Sequence, residues 1–398
     1  MDAVLETIGG LGTVELVTDD DAGAPDSRRP VPVVVEHGPV SAVVGWLPDS
    51  VLGDVREALE PLAAAVPELP VPRGVDPPTR IERTRLARGF GPLVDTYGVP
   101  PYSDVDPTWF AGFAFVVMVG MMFGDLGHGL VLAAIGLAVR AGRPAVLARF
   151  RPVWPLLLLT GLSGAAFGLA YGEFFGPTGV VPALWLSPLE EPITLLVAAV
   201  IVGSSLLAVS YLLGSLNRWR EGGLRRAMYA PAGIGGAAVF GGIALGVIGL
   251  ATGPAALATA GWIVSGLGVV LIFAGATVEG GGGGAGIAQG VVESFDALLS
   301  VFTGAVSFAR LAAFGLTHAA LSLVVWQGTV GLSGAGPVGW VGAVLLFTVG
   351  TVAVLALEGL VAFVQALRLE YYELFSRVFT SEGRPFRPFS TVLDKEEP

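Results

Sequence analysis

Arg310 stands inside a long apolar run, ESFDALLSVFTGAVSFARLAAFGLTHAALS (residues 293–322), with no carboxylate within a helical turn on either side. A guanidinium held in hydrocarbon is costly, from about 3 kcal/mol on insertion scales to above ~10 for an isolated helix, so it faces a wet cavity or a partner. It stays protonated and cannot relay protons itself, but it can keep a nearby carboxylate ionised. Asp296 precedes it by fourteen residues on nearly the same helical face, and His318 follows by eight, turned by about 80°. An imidazole titrates near neutrality and could line an aqueous channel; a hydrogen-bonded structural role is as good a reading of His318 alone. Asp296 can equally be a solvated surface acid.

A second apolar run carries Glu358, Gln365 and Arg368. Desolvation raises a carboxyl pKa, which makes Glu358 a candidate proton binder. Gln365, seven residues on, shares its face. Arg368 is ten residues from Glu358, so the two do not touch along one helix and each needs a partner elsewhere. The bland alternative is an ion pair between the two runs. The chemistry suggested is a proton path working against a partner that supplies an acidic residue.

MMFGDLGHG (121–129) places Asp125 and His128 near the outer end of a helix pair, where a structural polar knot is favoured over function. Glu173, in AYGEFFGP, reads as solvated at the end of a span. The three histidines are scattered, no HExxH, Walker A or nucleophile elbow occurs, and the absence of cysteine excludes thiolate sites and disulfides. No catalytic site, metal or cofactor is expected.

The elements that must position these residues are apolar helices. Of 398 residues 53% are hydrophobic and only 14% charged, with a mean hydropathy of +0.73; a soluble chain carries about 25% charged residues. A net charge of −11 argues against nucleic acid. The N-terminus lacks the basic and apolar regions of a signal peptide, so the head is expected in the cytoplasm.

The expected fold is an all-α polytopic membrane domain of eight transmembrane helices, with a small α+β N-terminal cytoplasmic domain. Residues 1–78 form that head: a helix, Gly turn and strand over 2–18, two strands about a His37-Gly38-Pro39 turn, and a helix at 49–66 capped by Asp49 or Ser50. Residues 79–108 are a linker and juxtamembrane helix, 109–379 the membrane domain and 380–398 a polar cytoplasmic tail. Spans are expected at 109–123, 126–140, 153–172, 192–213, 230–250, 257–277, 288–327 and 338–377. The first two are short; the last two, at about 60 Å of helix each, are twice the hydrocarbon thickness and so tilt or project. Charge supports the even count. Arg140, Arg143, Arg149 and Arg151 flank one side of the third span, and Arg218, Arg220, Arg225 and Arg226 follow the fourth. The alternate loops 124–125, 173–191, 251–256 and 328–337 carry no Lys or Arg, as the positive-inside rule asks.

Three stretches together resemble the membrane subunit, called subunit I or a, of V-type and A-type rotary ATPases. They are PPTRIERTRLARGFGPLVDTYGVPPYSDVDPTWF followed by GMMFGDLGHG, then SFARLAAFGLTHAALS, then LEGLVAFVQALRLEYYELFSRVFTSEGRPFRPFS. The resemblance covers residues from about 79 to 390. It implies eight helices, the last two long and tilted against a rotating proteolipid ring. Arg310 matches the arginine that meets the ring carboxylate; Glu358 and His318 match half-channel residues, Arg368 a second arginine, and Asp296 a position often acidic. It implies a plasma-membrane, multi-pass subunit, not catalytic alone, with cytoplasmic termini. Partners would be the proteolipid ring, the central and peripheral stalks and the lipid bilayer. The head departs from the pattern. Family members join two cytoplasmic lobes by a long coiled-coil arm that this sequence lacks, so peripheral-stalk contacts along that arm do not carry over. The rival readings are a self-contained secondary transporter and a non-conducting assembly scaffold.

Overall fold

A computed structural model describes residues 1–17, 33–71, 75–379 and 383–389. The described chain is mostly helical, with little sheet, and separates into two compact units.

The first unit comprises Met1–Ile81, Val99–Tyr102 and Ser381–Pro398. Helix α1 (Asp2–Leu11) ends at Gly12, whose φ of 58° is the left-handed conformation that glycine adopts without strain. Strand β1 (Glu15–Leu16) follows; β2 (Val34–His37) pairs antiparallel with β3 (Val40–Val43), and β4 (Gly45–Trp46) pairs with β1. The expected helix at 49–66 is shorter: α2 spans Leu52–Leu59 between single 3-10 turns, and neither Asp49 nor Ser50 caps it. Pro61 ends the α-helical bonding sooner than Pro67, since a proline supplies no amide donor. Ile8, Val14, Leu16, Val55 and Leu59 form a small core. Residues 383–389 lie along this core, Phe389 donating its backbone N–H to the Val14 carbonyl (2.7 Å). Residues 18–32 and most of the tail expected at 380–398 lie outside the described residues.

The second unit holds Glu82–Gly98 and Ser103–Thr380. The expected helix over 79–97 is absent. A 3-10 turn at Ala87–Gly89 and the short α3 (Gly91–Asp95) replace it, because Arg83 folds back to make a two-pronged ion pair with Asp95 (2.7 Å to each oxygen). Then come α4 (Thr108–Met122), α5 (Leu126–Ala141), α6 (Trp154–Tyr171), α7 (Pro192–Tyr229), α8 (Ile234–Thr252) and α9 (Ala255–Glu279). After these come α10 (Gly283–Ser307), α11 (Ala309–Ser333) and α12 (Gly336–Leu369). A π-helical segment, Glu370–Phe375, leads into α13 (Ser376–Val378). Among the described residues, six helical stretches are long and apolar enough to cross a membrane; α4 and α5 are shorter apolar helices.

Two departures bear on the site. The fourth span does not stop at residue 213: α7 continues to Tyr229, kinked at Gly222 and Gly223. The seventh is not one helix but two, broken at Phe308. Phe308 is fully buried, and its ring occupies the notch left by Gly203 of α7, where a Cβ would lie 2.0 Å from the ring. Small residues allow such approach elsewhere: α8 and α9 meet backbone to backbone at Gly246 and Gly261.

Candidate functional site

Arg310 opens α11 just after the break. Its Nε donates to the Ser307 carbonyl (3.0 Å), one of the acceptors released where α10 stops. It forms no ion pair among the described residues and is only half-buried. The charges of Arg368 and Glu373 act on it from the end of the last long helix. Arg368 is exposed on α12, and Asp296 is exposed on α10. The break at Phe308 interrupts the helical register that put Asp296 and Arg310 on one face. Gln365 is half-buried on α12, and its Oε1 has no hydrogen-bond partner.

His318, two turns along α11, is 1% exposed. Its Nδ1 makes a short hydrogen bond to Glu358 Oε2, so α11 and α12 are joined by the residues singled out from their sequences. The scattering of the histidines along the chain does not persist in space: the rings of His128 and His318 lie edge-to-face at 5.3 Å. His128 belongs to the first turn of α5, which Asp125 caps by accepting the His128 amide (2.9 Å). Asp125 also accepts the amides of Phe175 (3.0 Å) and Gly176 (2.6 Å), and its Oδ1 is 3.1 Å from His128 Nδ1. Phe123 packs on both imidazoles.

Sequence reasoning placed Glu173 in solvent; it is 2% exposed. It follows α6 in the loop that wraps Asp125, and burial, then the charges of Asp125 and Glu358, push its carboxyl up to about 9. The aromatic pair Phe174 and Phe175 after it was the available signal, since Phe175 stacks edge-on against His128. Glu370 was also missed: it is fully buried in the π-helical segment and neither carboxylate oxygen has a partner. Among the described residues, two polar groupings of this unit bear on the site. One gathers Asp125, His128, Glu173, His318 and Glu358; the other brings the charges of Arg310, Arg368 and Glu373 within reach of one another.

Comparison with known proteins follows the same regions. The chain is 26% identical over 372 residues to the A-type ATP synthase subunit I of Pyrococcus horikoshii, covering 89% of this chain and 54% of that protein. It is 28% identical over 410 aligned positions to the A-type ATP synthase subunit I of Archaeoglobus fulgidus, covering 88% and 58%. Against the V-type ATP synthase subunit I 2 of Treponema pallidum it is 36% identical over 123 residues, 31% of this chain and 26% of that protein. The chain thus spans little more than half the length of the archaeal relatives it matches. The sequence profile of the V-type ATPase 116kDa subunit family matches residues 36–176 and 287–391, which include every residue of both polar groupings and more than half of the chain; this chain belongs to that family.

Proposed function

We propose that this chain is the stator membrane subunit of a V/A-type rotary ATPase and forms proton half-channels against a proteolipid ring. The observation that carries the reading is Arg310. It is a permanent cation in an apolar sequence, half-exposed beside a helix break, with a backbone carbonyl and no carboxylate of this chain as its direct partner among the described residues. A negative group from another polypeptide satisfies it. The last long helix suits such a neighbour: only 11% of the most apolar stretch of Gly336–Val378 is buried, leaving Val341, Leu345, Val352, Leu357 and Leu360 exposed on α12.

In this mechanism a proton enters through the Glu358–His318 pair and neutralises a ring carboxylate, which then moves through lipid without the penalty of an ionised group. At Arg310 the carboxylate gives its proton to the second path, to which Gln365, Arg368 and Asp296 belong. Arg310 keeps its charge throughout and so blocks a direct proton leak between the two paths. The chain is not catalytic by itself; the ring, the central stalk and the peripheral stalk are its partners.

In this reading the chain crosses the plasma membrane eight times, with both termini cytoplasmic. The Asp125 carboxylate binds amides of the loop after α6, so the tip of the short α4–α5 pair reaches the same end of the bundle as the end of a full-length span. That arrangement supports two short crossings there.

The test is Arg310→Ala in the assembled complex, reconstituted into vesicles with a pH-sensitive dye. ATP-driven acidification is lost to background while all subunits still co-purify. Acidification at the wild-type rate in that variant overturns the reading.

A further inference from the structure

The cluster of Asp125, His128 and His318 has the makings of more than a proton relay. One donor atom from each of the three residues lies within 4.8 Å of the others, and all three residues are at most 1% exposed. Their hydrogen bonding is incomplete in a specific way. Nε2 of His128 and Nε2 of His318 are both buried with no hydrogen-bond partner, and Nδ1 of His128 has only the nearby Asp125 oxygen, outside hydrogen-bonding geometry. A buried polar atom left unpaired is costly, and two or three in one small volume call for a common partner.

The surroundings are those of a ligand shell. Glu358 holds His318 through Nδ1, the carboxylate–imidazole arrangement that fixes a metal-ligating histidine with its other nitrogen open. Asp125 is held rigid by three backbone amides. Glu173 stands beside them, near enough for Asp125 and Glu358 to act on it, and its Oε1 is buried with no hydrogen-bond partner.

We propose that Asp125, His128 and His318 form a binding site for a divalent transition metal of the zinc class. Two imidazoles with one carboxylate suit zinc, nickel or copper and not magnesium or calcium, which take oxygen ligands. Zinc bonds of about 2.1 Å put tetrahedral ligands about 3.4 Å apart, a spacing reached from donors that lie within 4.8 Å of one another by small side-chain movements. Three protein ligands leave a fourth position for water. Binding rests on this cluster alone; only its consequence, arrest of proton flow through Glu358 and His318, rests on the function proposed above.

The experiment uses the full chain in detergent, free of any polyhistidine tag and treated with chelator. Zinc chloride is titrated by calorimetry, and bound metal is counted after dialysis. The expected result is one zinc ion per chain, with affinity at least about 100-fold weaker in His128→Gln and in His318→Gln, and about 10- to 100-fold weaker in Glu358→Gln, which loses only the orienting contact. His37→Gln, on an exposed strand of the other unit, binds as wild type. X-ray absorption of the wild-type zinc complex, which does not depend on any variant folding, shows two imidazoles in a nitrogen and oxygen shell. Absence of stoichiometric binding, a shell without imidazole, or unchanged affinity in folded histidine variants each overturns the site. None of these outcomes touches the Arg310 test, because no ring is present.

Discussion

Asp104 shows how a single residue outside the helices sets a pH response. It lies in the loop before α4, and burial, followed by the charge of Glu221, pushes its carboxyl from 3.8 to about 6 against the opposing pull of Arg218. A carboxyl raised on folding contributes stability that is complete below about pH 4 and is lost as pH rises through about 6. The melting temperature of the detergent-solubilised chain therefore falls between pH 4 and 7, and falls less in Asp104→Asn. Identical slopes would remove Asp104 as the cause. Among the site residues, Arg310, His318 and Glu358 were legible because a charge or imidazole inside an apolar run has few inexpensive explanations. Glu173 was not legible. A carboxylate at the end of a span reads as solvated, and only the fold of its loop shows that it is buried beside Asp125.

Element boundaries follow packing as much as pattern. Residues 288–327 carry an unbroken apolar run, yet the helix breaks at Phe308 because the ring is driven into the notch at Gly203 and α11 restarts with Arg310 at its head. Filling that notch is informative. Gly203→Val forces a Cβ to 2.0 Å from the Phe308 ring and lowers stability by about 1–3 kcal/mol, the usual cost of overpacking. It also displaces Arg310, so proton pumping falls with it. Gly241→Val, on α8, meets nothing within 4 Å and leaves both unchanged. Thermal melting and the vesicle assay read the pair; equal behaviour of the two variants would mean that the break does not depend on this contact. The β2–β3 hairpin in the first unit was visible as two strand-like runs about the His37-Gly38-Pro39 turn, whereas the pairing of β1 with β4 was not. The failed helix at 79–97 was not foreseeable, since the Arg83–Asp95 pair that folds it back joins residues twelve apart.

At the scale of the whole molecule, the crossing pattern is open to a direct measurement, because the chain contains no cysteine. Single cysteines at Arg143 and Arg225 are labelled by an impermeant maleimide from one side of the membrane, and those at Val180 and Ala335, all exposed positions, from the other. Labelling of Arg143→Cys and Val180→Cys from the same side would sink the eight-span topology. Composition and charge spacing alone determined that the chain is rich in apolar helices, with arginines clustered at 140–151 and 218–226 between apolar runs. Both are averages over many residues and survive errors at any one of them. Which polar side chains meet was decided only by the tertiary structure. Asp125, Glu173, His318 and Glu358 are separated by dozens to hundreds of positions, and their encounter depends on how α4, α5, α11 and α12 pack and on one loop folding over a carboxylate. Contacts between helices are set by the shapes of the faces that touch, and a single sequence states those shapes only once the helices have been put side by side.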